Sequence, residues 1–186
     1  GTPADCVIIA VLAIVPKNID LVISGINKGP NLGTDITYSG TAAAARQGAL
    51  MGKPSIAASI NTYEPPFRYK NPANFLADNI KLFKTLWSDD HFLNINFPNS
   101  MARTVSVEIT YPVLRIYNDK IETFRAPNGD LYCFLGGDVP SSKEEEGTDS
   151  YAVSSGKISM SPILIHPTNE KIEQKYRAVF PDFICV

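Results

Sequence analysis

Residues 20–59 read DLVISGINKGPNLGTDITYSGTAAAARQGALMGKPSIAAS, and the order of textures in this stretch decides the fold class. Residues 20–25 are a short apolar run with the composition of a buried strand. Residues 26–38 are dense in Gly, Asn and Pro, the turn formers, and read as a loop. From Ser39 the pattern turns helical and runs through Ala42 and Ala45 to Met51, where Gly52 and Pro54 supply the stop. Residues 55–60 (SIAASI) are the next strand. Strand, loop, helix and strand at this spacing form a βαβ unit, which implies a parallel sheet and a right-handed crossover. The small residues Ala42, Ala45, Gly48 and Ala49 let the helix lie close on that sheet.

Upstream, Thr2 is a helix cap, Pro3 suits the first helical position, and Asp5 stands three residues after the cap. Residues 6–15 are apolar nearly all round, which predicts a well-buried helix ended by Pro16. Downstream, Asn71 and Pro72 start a helix with Leu76, Ile80, Phe83 and Trp87 on one face, and residues 92–97 (FLNINF) form a strand ended by Pro98. After Ser100, residues 104–111 alternate like a strand. Residues 121–125 and 131–135 flank Pro127-Asn128-Gly129-Asp130, a strong hairpin signal. Residues 136–150 read as an exposed loop, 157–165 as a last strand and 168–179 as a terminal helix. The expected architecture is α/β: a Rossmann-like three-layer sheet domain over residues 1–100, then a β-rich extension over 101–186 with a hairpin arm and a C-terminal helix.

Composition narrows the partners. A formal net charge of -2 gives no basic face for a nucleic acid duplex. The longest apolar run is half of the roughly 20 residues a membrane helix needs. Cys6, Cys133 and Cys185 match no zinc spacing and make no disulfide framework, so they read as reduced thiols of a cytoplasmic protein.

The loop after the first strand lies where open α/β sheets place their ligands. Ser39 and Thr41 put hydroxyls at a helix N-terminus whose free N–H groups attract anions, and Asn27 and Asn31 add amides. Together they make a phosphate cradle beside an amide able to face a hard cation. Neither G-x-G-x-x-G nor a Walker loop is present. On composition alone a turn-rich connector remains an equal reading.

The stretch DLVISGINKGPNLGTDITYSGTAAAARQGALMGKPSIAAS closely resembles the signature region of the SurE survival-protein family, and GTPADCV, LNINFP and GTDSYAVSSGKISMSPI match in the same order. The resemblance implies metal-dependent hydrolysis of nucleoside 5'- and 3'-monophosphates with a divalent cation, Mg²⁺ or Mn²⁺. It implies Asn27 as a metal ligand, and Asn31, Ser39, Gly40 and Thr41 as the phosphate side of the pocket. Family members open with a strand ending in Asn-Asp-Asp-Gly, so the acidic catalytic residues are expected upstream of Gly1. The resemblance also implies that the hairpin arm and terminal helix exchange or pair between subunits, in a homodimer or homotetramer. The alternative is a non-catalytic nucleotide-binding or assembly module. Asp35 reads first as a capping residue, Lys28 as a solvated side chain, and Asp89-Asp90 as an exposed helix end. Asn94 and Asn96 read as structural amides near the loop. His91 and His166 have no partner at ligand or triad spacing.

Overall fold

The computed structural model describes residues 1–15, 18–100, 102 and 105–180. In chain order the elements are α1 (Pro3–Ile9), β1 (Val22–Lys28), α2 (Gly40–Leu50), β2 (Ser55–Asn61), α3 (Lys70–Asp78), α4 (Ile80–Leu86) and β3 (His91–Pro98). There follow β4 (Val107–Ile109), β5 (Arg115–Ile116), β6 (Asp119–Arg125), β7 (Leu131–Gly137), β8 (Ser141–Ser142), α5 (Asp149–Ser154), β9 (Ile158–Leu164) and α6 (Glu170–Val179).

The βαβ unit folds as its pattern dictates: β1 pairs parallel with β2, and β2 with β3. The central sheet has the order β1-β2-β3-β9-β4, with β9 antiparallel to β3 and parallel to β4, so it draws strands from both sides of residue 100. Period-2 alternation divides the side chains between two faces. Ile56, Ala58, Ile95 and Phe97 pack against Leu76 of α3 and Phe83 of α4. Ala57 and Phe92 meet Ala42, Ala45 and Ala49 of α2 on the other face. The result is a three-layer α/β fold. Gly48 sits where α2 crosses Val22 and Ser55 so closely that a Cβ would collide with the Ser55 hydroxyl.

Several expectations need correction. The first helix is not buried: α1 continues as a short π-turn over Ala10–Ile14, no residue of either is buried, and Leu12 and Ile14 are 73% and 69% exposed. Its N-terminal cap forms as expected. The helix lies along α2 on one side only, so the rest of its apolar surface faces outward. Pro16 lies outside the described residues, as do Thr104 and Cys185. The single helix expected after Asn71 is two, broken at Asn79, whose side chain turns back to the Phe75 carbonyl at 2.8 Å. Leu76 and Phe83 are buried, whereas Ile80 is exposed and Trp87 stands beyond the helix end. Strand β1 extends to Lys28 rather than ending at Gly25. It carries an irregularity between Ser24 and Asn27, where Gly25 at φ 124° brings its backbone against the Ala58 carbonyl. The end of the expected 136–150 loop is not exposed: Thr148 and Asp149 are fully buried and open helix α5.

The expected hairpin forms, pairing Arg125 with Leu131 and Ile121 with Leu135. Every residue of β6 and β7 is exposed. Phe124 stacks on Tyr132 and Phe134 at 5.2 and 5.6 Å between ring centroids. No residue of α6 is buried. Among the described residues, no helix is long and apolar enough to cross a membrane.

Candidate active site

A loop that descends onto the carboxyl ends of β2 and β3 carries backbone groups that a sheet cannot pair, and buried backbone groups need partners. Side chains of the strands provide them. Asn31 N–H donates to Asn96 Oδ1 at 2.8 Å, while Asn94 Nδ2 and Asn96 Nδ2 both donate to the Asn31 carbonyl, at 2.9 and 3.0 Å. The Asn31 side-chain amide donates to Ser59 Oγ at 2.6 Å. Ser59, Asn94 and Asn96 are fully buried on the α2 face, farther along their strands than Ala57 and Phe92. The two amides of the LNINFP strand therefore act as a clamp on residue 31.

A second anchor holds residue 33. Gly33 N–H donates to Asp149 Oδ2 at 2.6 Å, while Oδ1 accepts from Val113 N–H at 3.1 Å and Ser150 N–H at 2.8 Å. Burial pushes the Asp149 carboxyl above its ordinary range, opposed by those three N–H donors. Gly33 has φ 50° and lies so close to the Val113 carbonyl that a Cβ would collide with it.

A third anchor is Asp35 in the 3₁₀ turn Gly33–Thr37. It accepts from Leu32 N–H at 3.3 Å and from the Tyr117 hydroxyl, and pairs with Arg115 Nε at 3.3 Å. The Arg115 approach is an ion pair without an aligned hydrogen bond, since Nε has no hydrogen-bond partner. The other guanidinium nitrogens reach the Pro140 carbonyl at 2.7 Å and Ser142 Oγ at 3.4 Å. Burial, then the Asp35 bond and charge, push the Tyr117 phenol far above its usual range, so it remains a donor.

These anchors present the N-terminus of α2. Ser39 caps it, accepting from Ala42 N–H at 3.1 Å. The preceding first-turn amides, of Gly40 and Thr41, have no acceptor within the helix. A cavity of about 450 Å³ opens here, lined by Asn31, Asp35, Tyr38, Ser39, Tyr117, Asp119 and Leu135. Of the residues predicted from sequence, Asn31 and Ser39 stand in its walls, although the Asn31 amide itself turns inward to Ser59. Gly40 and Thr41 follow directly in α2 and are half-buried. Asn27, also half-buried, lies at the end of β1 and is not a wall of this cavity. Its Nδ2 donates to the carbonyls of Lys28 and Gly29, at 3.1 and 2.9 Å, so both side-chain bonds leave Oδ1 uncommitted.

Lys28 lies over the Phe67 ring at 5.0 Å rather than at the cavity. His91 bonds locally, to Asp90 at 2.8 Å and Ser88 at 3.1 Å, at the amino end of β3. Sequence reasoning missed Ser59, Asp149, Arg115 and Tyr117. For Asp149 a signal existed: Thr148 and Asp149 precede an apolar pair as a cap precedes a helix, and Thr148 does accept from Tyr151 N–H.

Comparison with known proteins gives the same direction. A family model described as Survival protein SurE matches residues 1–119. The chain belongs to the SurE family. A relative named 5'-nucleotidase SurE from Syntrophomonas wolfei is 40% identical over 185 residues, covering 98% of this chain and 70% of its own length. One of the same name from Kosmotoga olearia is 40% identical over 179 residues, covering 95% and 70%. The crystal structure of the SurE protein from Aquifex aeolicus superposes with a TM-score of 0.80 at 35% identity, over 96% of this chain and 73% of that one. The SurE likeness thus extends past the matched 119 residues into the hairpin and β9.

The divalent cation that the SurE resemblance implies can be tested against the residues present. Asn27 offers one uncommitted neutral oxygen, the kind of donor a hard cation accepts. Among the described residues, no group of three or more His, Cys, Asp or Glu side chains is placed to hold a metal. The described residues fit one corner of such a site and do not make it by themselves.

Proposed function

We propose that this SurE chain belongs to a metal-dependent phosphomonoesterase acting on nucleoside 5'- and 3'-monophosphates. The supporting observation is the capped N-terminus of α2 at a cavity, with its approach loop fixed at residues 31, 33 and 35 by buried partners. Free amides held in place before the ligand arrives are what a phosphoryl group, gaining negative charge on its oxygens, needs from a protein. Ser39, Gly40 and Thr41 hold the phosphoryl group and orient it. Asn31 shapes the wall through its clamped backbone. Asn27 contributes one oxygen to an Mg²⁺ or Mn²⁺ ion, which when bound polarises the phosphoryl group and acidifies the attacking water.

The assembly is a homodimer or homotetramer. An isolated two-stranded hairpin is marginal in water, and this one exposes Ile121, Phe124, Leu131, Phe134 and Leu135. A second copy covering it supplies the missing packing. Free, exposed Cys6 and Cys133 suit a reducing, cytoplasmic setting.

The test is steady-state hydrolysis by the full-length protein of adenosine 5'- and 3'-monophosphates with Mn²⁺ or Mg²⁺, before and after chelation. Activity lost with the chelator and restored by the ion is expected. Activity that survives chelation contradicts the metal reading, and binding without turnover supports the non-catalytic module instead.

A further inference from the structure

Two aromatic rings in the cavity wall have no role in holding a phosphate. Tyr38 directly precedes the cap Ser39 and is 81% exposed, although Ile36, two residues earlier, is buried. Tyr117 stands against it with ring centroids 6.4 Å apart and an interplanar angle of 87°. The Tyr117 hydroxyl is tied to Asp35, which is itself held by Leu32 N–H and Arg115, so this ring is fixed from behind. Two rings at a right angle make a corner. A planar heterocycle can lie flat on one ring and meet the second edge to face, both favourable aromatic geometries. The remaining walls include Asp119, able to meet a polar edge, and Leu135. The corner adjoins the first turn of α2, since Tyr38 and Ser39 are consecutive.

We propose that Tyr38 and Tyr117 form the subsite for the nucleobase, which stacks in this corner while its phosphate meets the amides of Gly40 and Thr41. The proposal rests on the phosphomonoesterase reading and adds the part of the substrate it leaves unread. Stacking is tolerant of base identity because every base has a π-face. The subsite therefore separates nucleotides from phosphate esters that lack a base far more than it separates one base from another.

The experiment compares adenosine 5'-monophosphate with ribose 5-phosphate as substrates of the full-length protein, in the wild type, Tyr38→Ala and Tyr38→Phe. Tyr38→Ala is expected to raise KM for the nucleotide by roughly tenfold, the scale of one lost base–aromatic stack. KM for ribose 5-phosphate should stay within about twofold, and Tyr38→Phe should restore the nucleotide value. An equal change on both substrates, or no change on either, overturns the subsite. A drop in assembly mass on light scattering of Tyr38→Ala assigns the ring to a subunit interface and also overturns it. Failure of the wild type to hydrolyse either ester removes the phosphomonoesterase reading instead. The corner is then judged by equilibrium binding of adenosine 5'-monophosphate, where weaker binding by Tyr38→Ala upholds it and unchanged binding overturns it.

Discussion

Truncating the two amides of the LNINFP strand should have unequal consequences, and the difference isolates the loop clamp. Both side chains are fully buried and identical in size, so Asn94→Ala and Asn96→Ala open similar cavities, and that contribution nearly cancels in the comparison. Asn96 makes two bonds to residue 31, accepting from its N–H at 2.8 Å and donating to its carbonyl at 3.0 Å. Its loss leaves the Asn31 N–H buried without an acceptor, at a cost of about 1–3 kcal/mol. Asn94 makes one bond, to a carbonyl that keeps Asn96 as donor, and its Oδ1 has no hydrogen-bond partner. Removing it discards an unpaired acceptor, which offsets part of its own cost. The Asn96→Ala variant should therefore be less stable than Asn94→Ala by about 2 kcal/mol. For a chain of this size that is a Tm difference of roughly 4–8 °C. Chemical denaturation at constant m-value gives the free energies, and nucleotidase assays of the same proteins should rank them in the same order. Equal stabilities, or Asn94→Ala the weaker, would refute the clamp.

Other outcomes follow from the remaining anchors. Gly33→Ala forces a Cβ into the Val113 carbonyl at φ 50°, and should cost about 1–3 kcal/mol in thermal unfolding. For Asp149, burial raises the folded-state pKa, so its contribution to stability is full below the unfolded value of about 3.9 and falls as pH rises through the raised folded value. The stability gap between the wild type and Asp149→Asn should accordingly be widest in acid and narrow toward neutrality, as denaturant titrations at several pH values will show. A gap that widens with pH contradicts burial as the dominant influence. Deleting residues 168–186 should weaken the assembly, read as a lower mass by light scattering, and an unchanged mass counts against subunit exchange of the C-terminal segment.

Much of the fold was legible because local pattern and tertiary structure agree in the β1-α2-β2 unit, in β3 and in the hairpin. Small residues on α2, β-rich runs on β2 and β3, and Asn128-Gly129 at the hairpin each specify one conformation. The failures have physical causes. Apolar residues from Cys6 to Val15 report a preference for burial but not what covers them, and α2 covers only one side. Asn79 divides α3 from α4 by bonding back to the Phe75 carbonyl, a choice that side-chain spacing does not record. Ser39, Gly40 and Thr41 were readable as a helix start, and the family likeness attached chemistry to them. Thr148 and Asp149 carried the signal of a helix start, but the anchoring role of Asp149 was hidden, because its partners Gly33 and Val113 are 116 and 36 residues away and only the folded chain brings them together. Arg115 and Tyr117 were hidden for the same reason, since their partner Asp35 lies 80 or more residues upstream.

The most direct measurement is a crystal structure of the full-length protein with Mn²⁺ and a non-hydrolysed nucleoside monophosphate. Phosphate oxygens should lie about 2.7–3.2 Å from the amide nitrogens of Gly40 and Thr41. Asn27 Oδ1 should stand in the coordination shell of the ion. A nucleotide bound away from the first turn of α2, or an Asn27 side chain turned from the ion toward the interior, contradicts the proposed site.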